Sequence, residues 1–303
     1  LADWRWNWMG NGLLKQIYRS RTLYLFISPF YILFLVFSVF PILFSIYLSV
    51  HKWDGIGEME YVGINNFRYM FGDQGFWQAL ANNIGLWLLG NVPQLMCALV
   101  IAFVINLSIV RFKSFFKVAY FLPNVTSMVA VVIIFQSLFG SQYGLINFVL
   151  QNFGLEKVAW FNSGFGVKVV IASMIAWRYM GYNAIIYLAG LQNIPKDLYE
   201  AAQLDGATMV QTFTRITLPM LRPVILFTVM MSTIGGFQIF TEPQVLAGSA
   251  APYPGSETIV LYMYREAFKF FHYGYAAAVS WVLFFIIGLL SVLNWKLFSR
   301  SGD

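Results

Sequence analysis

The sequence predicts an all-α polytopic membrane protein with six transmembrane helices. Three observations carry that prediction. Of the 303 residues, 59% are hydrophobic and only 11% charged, and the mean hydropathy is +0.67. A soluble domain carries roughly 25% charged residues, so most of this surface faces something other than water. Charge-poor stretches recur along the chain, each near or beyond the roughly 20 apolar residues a helix needs to cross a hydrocarbon core. Between two of them, residues 196–218 form a polar island. Aromatics at 19% suit interfacial belts of Trp and Tyr.

The elements follow in order. Residues 1–21 read as a cytoplasmic, interfacial segment, with Trp4, Trp6 and Trp8 ahead of a basic stretch. The chain begins at Leu rather than Met, which leaves room for sequence before it. The membrane domain runs over residues 22–298. Its first span, Thr22–Val50, is free of charge, with Pro29 and Pro41 placed to kink it. It is too long and too far from the start for a cleaved signal peptide. The second span is Ala79–Leu107. The third is Val118–Phe139, ending before Gly140. The fourth, Val169–Leu191, carries one charge, Arg178. The fifth is Pro219–Thr241 and the sixth Tyr273–Trp295.

Basic residues orient these spans. With a cytoplasmic N-terminus, the inner segments hold Arg5, Lys15, Arg19, Arg21, Arg111, Lys113, Lys117, Lys196, Arg215, Arg222, Lys296 and Arg300. The outer loops hold Lys52, Arg68, Lys157, Arg265 and Lys269. Twelve against five satisfies the positive-inside rule, with Lys168 at a boundary and Arg178 within a span. Both termini and the polar island are then cytoplasmic. The outer loops, 51–78, 140–167 and 242–272, exceed what simple connections need, and Gly248–Ser256 has an irregular composition. They are suited to gripping an external partner or to packing on one another. No short-period repeat and no similarity between halves is visible.

Several functions are disfavoured. The basic excess sits at the ends of apolar runs, so it reads as topology rather than nucleic-acid binding. Cys97 is the single cysteine, which leaves no disulfide framework or thiolate metal site. The two histidines, His51 and His272, are far apart, and no metal-spaced or nucleophile cluster argues for an enzyme. No Gly-x-x-x-x-Gly-Lys-Ser/Thr loop is present, so the chain lacks an ATPase's phosphate cradle. A secondary sugar transporter or channel is the alternative. Ion-coupled transporters use intramembrane carboxylates, and none of the thirteen Asp and Glu residues falls within these spans.

Within the island, Pro195 disfavours continuation of the fourth helix. Asp197 is placed to cap a new one, with Glu200 three residues on completing a capping-box-like pair. Leu198, Ala201 and Ala202 share a face, and Gly206 can end the helix. Met209, Phe213 and Ile216 form a second amphipathic piece that Pro219 closes. A helix that merely covers the membrane face is one reading. Small residues at Ala201, Ala202 and Gly206 permit close approach of another protein, which is the other.

The spacing Glu200-Ala201-Ala202, three residues, Gly206, nine residues, Ile216, one residue, Leu218-Pro219 resembles the signature of permease subunits of binding-protein-dependent ATP-driven importers. Leu191-Gln192-Asn193-Ile194-Pro195, Leu198-Tyr199, Asp205-Gly206-Ala207, Val62-Gly63-Ile64-Asn65-Asn66-Phe67, Phe121-Leu122-Pro123 and Gly144-Leu145-Ile146-Asn147 are similar to its sugar-permease branch. Ser28-Pro29 through His51-Lys52-Trp53-Asp54 resembles the first of the paired permeases of maltose-type and glycerol-phosphate-type systems. Gly248-Ser249-Ala250-Ala251-Pro252 departs from the Gly-Gly-Pro of many relatives. The resemblance implies the type I importer permease fold with a cytoplasmic coupling helix. It implies ATPase docking by Glu200, Ala201, Ala202, Asp205, Gly206 and Ala207, with ATP and Mg bound by two partner subunits and no cofactor on this chain. It also implies a second, related permease and a periplasmic sugar-binding protein as partners.

For the substrate path, Arg178 is the one charge inside a span. A charge near mid-membrane costs at least about 2.5–3.5 kcal/mol on insertion scales, so it faces a cavity or finds a partner. As a structural residue it would bond neighbouring carbonyls; as a path residue it would favour anionic cargo, such as an acidic saccharide of the alginate kind. Trp177, Tyr179, Tyr182 and Asn183 flank it with the ring faces and hydrogen-bonding groups a sugar needs. Gly235-Gly236 with Phe237 and Gln238 is a second candidate lining.

Overall fold

A computed structural model describes residues 20–107, 111–248 and 251–299. The tryptophan-rich stretch before residue 20, and Arg300, lie outside the described residues. Among the described residues the regular structure is helical apart from a short antiparallel pair, His51–Lys52 with Glu60–Tyr61, in the loop between the first two spans. Five helical stretches are long and apolar enough to cross a membrane: Arg21–Ser49, Gln74–Asn106, Gly164–Gln192, Arg222–Ala247 and Tyr273–Leu297.

The third span departs from the sequence expectation. Instead of one helix over Val118–Phe139, two helices, Lys113–Val125 and Met128–Leu138, meet at an angle of 95°. Pro123 lies inside the first, and the chain turns extended at Thr126 and Ser127 before resuming. Pro123, Asn124, Thr126 and Ser127 mark the break, but they carry no charge, and spans delimited by charge gaps run straight through them. The second and fourth spans are also longer than expected, each extended by several residues at its N-terminal end. The fifth is interrupted after Phe237 and resumes as Thr241–Ala247.

Proline shapes three other places in one way. Wide π-helical turns occupy Leu35–Val39, Trp87–Asn91 and Phe213–Thr217. Each is followed two residues later by a proline: Pro41, Pro93 and Pro219. A proline inside a helix has no N–H for the carbonyl four residues back and clashes with it. The widened turn accommodates that lost bond without ending the span.

Three apolar clusters hold the bundle. Leu86, Val131, Phe135, Val170, Ile171 and Met174 join the second span, the outer half of the third and the fourth. Met70, Phe76, Phe237, Ile259, Tyr262 and Val279 join the outer loops to the last two spans. Ala98, Ala102, Ala184, Tyr187, Leu188 and Leu221 close the inner half. Lipid offers no hydrophobic drive for helix association, so small residues and polar bonds do the joining. At Gly181 a β-carbon would stand 1.8 Å from the Tyr120 carbonyl oxygen, so only glycine lets the inner half of span three lie against span four. Asn83 Nδ2 donates to the Gly236 carbonyl at 2.7 Å while its Oδ1 accepts from the Ile259 N–H at 3.2 Å. The Thr228 hydroxyl donates to the Tyr187 hydroxyl at 2.7 Å.

Candidate functional site

A polar cavity of about 310 Å³ opens between the second, fourth and fifth spans. Arg178, Tyr179, Tyr182, Asn183 and Gln238 all line it, so five of the six path candidates converge there. One helical turn of the fourth span explains the grouping, because residues at i, i+1, i+4 and i+5 cover one side of a helix. Trp177 is the exception. It packs against Phe135 at 5.9 Å between ring centroids and does not line the cavity. Gly235 and Gly236 line it too, whereas Phe237 is buried in the neighbouring apolar cluster.

Among the lining residues that escaped the sequence reading, Asn91, Gln94 and Glu242 bring amide and carboxylate groups. The π turn at Trp87–Asn91 ends on Asn91 and delivers it to the cavity wall. Asn91 Nδ2 donates to the Ser232 carbonyl at 3.0 Å, yet its Oδ1 has no partner. Both amide atoms of Gln94, 1% exposed, are unpaired, as are Nε and Nη1 of Arg178. Arg178 also lies over the Tyr179 ring at 5.8 Å. Buried polar groups without partners cost about 1–3 kcal/mol each, so a cluster of them marks a place built to meet polar guests. Amides within an apolar run were the available signal for Asn91 and Gln94. Glu242 stands one residue past the expected end of span five, but the span-length stretch runs on to Ala247 and takes Glu242 in, against the expectation that no carboxylate lies within a span.

The polar island forms a second site. Its helix is Lys196–Leu204, with Pro195 at the N-cap and no side-chain cap. Asp197 therefore sits inside the first turn, where its charge complements the helix dipole, and the expected Asp197–Glu200 capping pair is absent. The capping box falls later: Thr208 accepts from the Gln211 N–H, and Gln211 accepts from the Thr208 N–H. Gly206 does end the helix, at φ +73°. The Gly206 N–H donates to Gln203 O at 3.1 Å and the Ala207 N–H to Ala202 O at 2.9 Å, the paired bonds of a Schellman cap. Glu200, Ala201, Asp205 and Gly206 are exposed, Ala207 is half-buried, and Ala202 is buried against the bundle. Tyr199 and Thr217 hydroxyls meet at 3.2 Å and tie the segment to the start of span five.

At the start of the second span, Asp73 caps the helix by accepting from the Gly75 N–H at 2.8 Å. Its other oxygen accepts from the hydroxyls of Tyr275, at 2.8 Å, and Tyr262. Burial acts to raise the Asp73 pKa, but these three hydrogen bonds outweigh it and hold the carboxyl below its ordinary value.

Residues 98–297 match the family described as binding-protein-dependent transport system inner membrane component. The chain belongs to this family. It is a multi-pass inner membrane permease component of an ABC transporter and not itself the ATPase; ATP hydrolysis is the work of partner subunits. Among similar permeases is the lactose transport system permease protein LacF of Rhizobium radiobacter, 38% identical over 89% of this chain and 92% of that protein. Another is the arabinooligosaccharides transport system permease protein AraP of Bacillus subtilis, 35% identical over 90% of this chain and 87% of that protein. Among solved structures, a bacterial ABC transporter involved in import of the acidic polysaccharide alginate has a chain that superposes with a TM-score of 0.81. The identity is 25%, over 97% of this chain and 100% of that one. The permease fold is therefore shared.

Proposed function

We propose that this permease carries a saccharide, delivered by a periplasmic binding protein, through the polar cavity around Arg178. The observation that carries this reading is the convergence of Arg178, Gln94, Asn91 and Asn183 with the rings of Tyr179 and Tyr182 on one membrane-embedded cavity. Sugars need hydrogen-bonding groups for their hydroxyls and aromatic faces for their C–H surfaces. The sugar-transport names of the similar permeases support the same class.

Six spans make half a pathway, so a second, related permease of distinct sequence completes it; this chain is the first-permease type. The exposed face of Glu200, Ala201, Asp205 and Gly206 docks on one of two ATP-binding subunits, which hold ATP and Mg. Ala202 and Ala207 anchor that face to the bundle. Closure of the ATPases then drives alternating access. The N- and C-termini are cytoplasmic. The unpaired donors of Arg178, taken alone, favour an acidic oligosaccharide such as alginate; they do so only where no other charge in the cavity offsets them.

Reconstitution into proteoliposomes tests the proposal. The full complex with binding protein takes up labelled saccharide only with ATP, and this polypeptide without an ATPase partner takes up none. ATP-independent uptake by the isolated chain would refute it in favour of a secondary transporter or channel.

A further inference from the structure

Arg178 does not stand alone. Glu242, 6% exposed, lines the same cavity from the short helix Thr241–Ala247. We propose that Glu242 offsets the charge of Arg178 and, with Gln94, makes this cavity a hydroxyl-reading site for an uncharged saccharide unit. The inference rests on reading the cavity as the transport path.

The two charges share the cavity without pairing. Among the described residues, the ion pairs within 4.0 Å are Arg265–Glu257 and His272–Glu266. Arg178 keeps Nε and Nη1 without hydrogen-bond partners, Gln94 keeps both amide atoms free, and Asn91 keeps Oδ1 free. The wall therefore offers donors from Arg178 and Gln94 and acceptors from Gln94, Asn91 and Glu242. A sugar hydroxyl both donates and accepts, so neighbouring hydroxyls on one ring satisfy such a mixed set. A carboxylate or sulfate only accepts. It would meet Arg178 but leave the acceptors unmet and bring a like charge toward Glu242, in a setting where unpaired buried charge is costly. The volume, about 310 Å³, lies at the lower end of the range of about 300–1,000 Å³ for small-molecule sites. It suits one saccharide unit at a time.

The test uses the full complex, purified through a tag on this chain, with Cys97→Ser and Ser232→Cys placing one thiol in the cavity wall. Two methanethiosulfonate reagents of similar size, hydroxyethyl (neutral) and sulfonatoethyl (anionic), report the local charge. With Arg178 and Glu242 intact, their rate ratio should match that of a free thiol in solution. Glu242→Gln should raise the anion's relative rate roughly tenfold, and Arg178→Gln should lower it by a similar factor. The double variant should restore it, which controls for either single variant failing to assemble. Lactose, arabinotriose and maltotriose serve as neutral probes and digalacturonate as the charged one. At least one neutral probe should protect the thiol better than digalacturonate, and Glu242→Gln should reverse that order. A ratio unmoved by Glu242→Gln, no labelling by either reagent, or stronger protection by digalacturonate in the intact cavity overturns the inference. The expected ratios together with no saccharide uptake would instead overturn the saccharide reading and leave the charge balance standing.

Discussion

Asp73 joins three elements through one carboxylate: it caps the second span and accepts from Tyr262 and Tyr275, which lie 189 and 202 residues away. Its carboxyl titrates below its ordinary value of 3.8, so the ionised form is bound more favourably in the folded state. That contribution is fully present above pH 3.8 and is lost as the pH falls through the depressed folded value. Asp73→Asn keeps the cap but weakens charge-assisted bonds to two hydroxyls. It should lower the thermal midpoint of the detergent-purified complex at pH 7, and the gap from the parent should close in acid. An equal gap at pH 7 and pH 3 would remove the charge from the explanation. Single residues were unevenly legible in the sequence. Arg178 stood out because a lone charge interrupts an apolar run. Gln94 and Asn91 did not, because they carry no charge and a reading that delimits spans by charge passes over uncharged amides in an apolar run. Asp73 needed partners that only folding brings together.

The coupling segment shows what was legible at the level of elements. Its helix was expected and formed; its start was misread, because Pro195 takes the N-cap and pushes Asp197 into the first turn. Its end was read correctly from Gly206, whose φ of +73° costs roughly 1–2 kcal/mol for a residue with a β-carbon. No atom lies within 4 Å of where that β-carbon would go, so the penalty is purely conformational. Gly206→Ala should therefore loosen the turn between the Lys196–Leu204 helix and the Thr208 capping box. The expected result is normal saccharide binding with weakened stimulation of ATP hydrolysis, and Gly206→Asn, which tolerates the left-handed region, should recover most of it. Full stimulation in Gly206→Ala would show that the turn's geometry does not transmit. The break in span three was missed for a different reason. Pro123, Asn124, Thr126 and Ser127 mark it, but a reading that delimits spans by charge passes over an uncharged turn of 95°.

For the whole molecule, the placement of basic residues predicts the orientation in the bilayer. In sealed vesicles carrying Cys97→Ser, a thiol introduced by Glu200→Cys should react with an impermeant reagent only from the cytoplasmic side. One introduced by Asp54→Cys should react only from the outside. The reverse pattern would invert the topology and move the coupling segment away from any cytoplasmic ATPase. The overall bundle was readable because each span must satisfy its backbone internally and present an apolar surface, a constraint written in composition. The cavity between spans was not, since which faces meet depends on packing that composition does not encode.

The first span has a consequence for biogenesis. None of the three apolar clusters includes a residue of 21–49. The helix attaches near its outer end, where Leu48 and Ser49 are buried and Trp281 Nε1 donates to the Ser45 hydroxyl at 3.2 Å. Trp281 lies 236 residues further along the chain. At about 5–20 residues per second of synthesis, that partner emerges roughly 10–50 s after Ser45. During that interval the helix must remain in lipid without its final neighbour. Until then the span is held in the bilayer by its own apolar surface, to which the absence of charge from Thr22 to Val50 is suited.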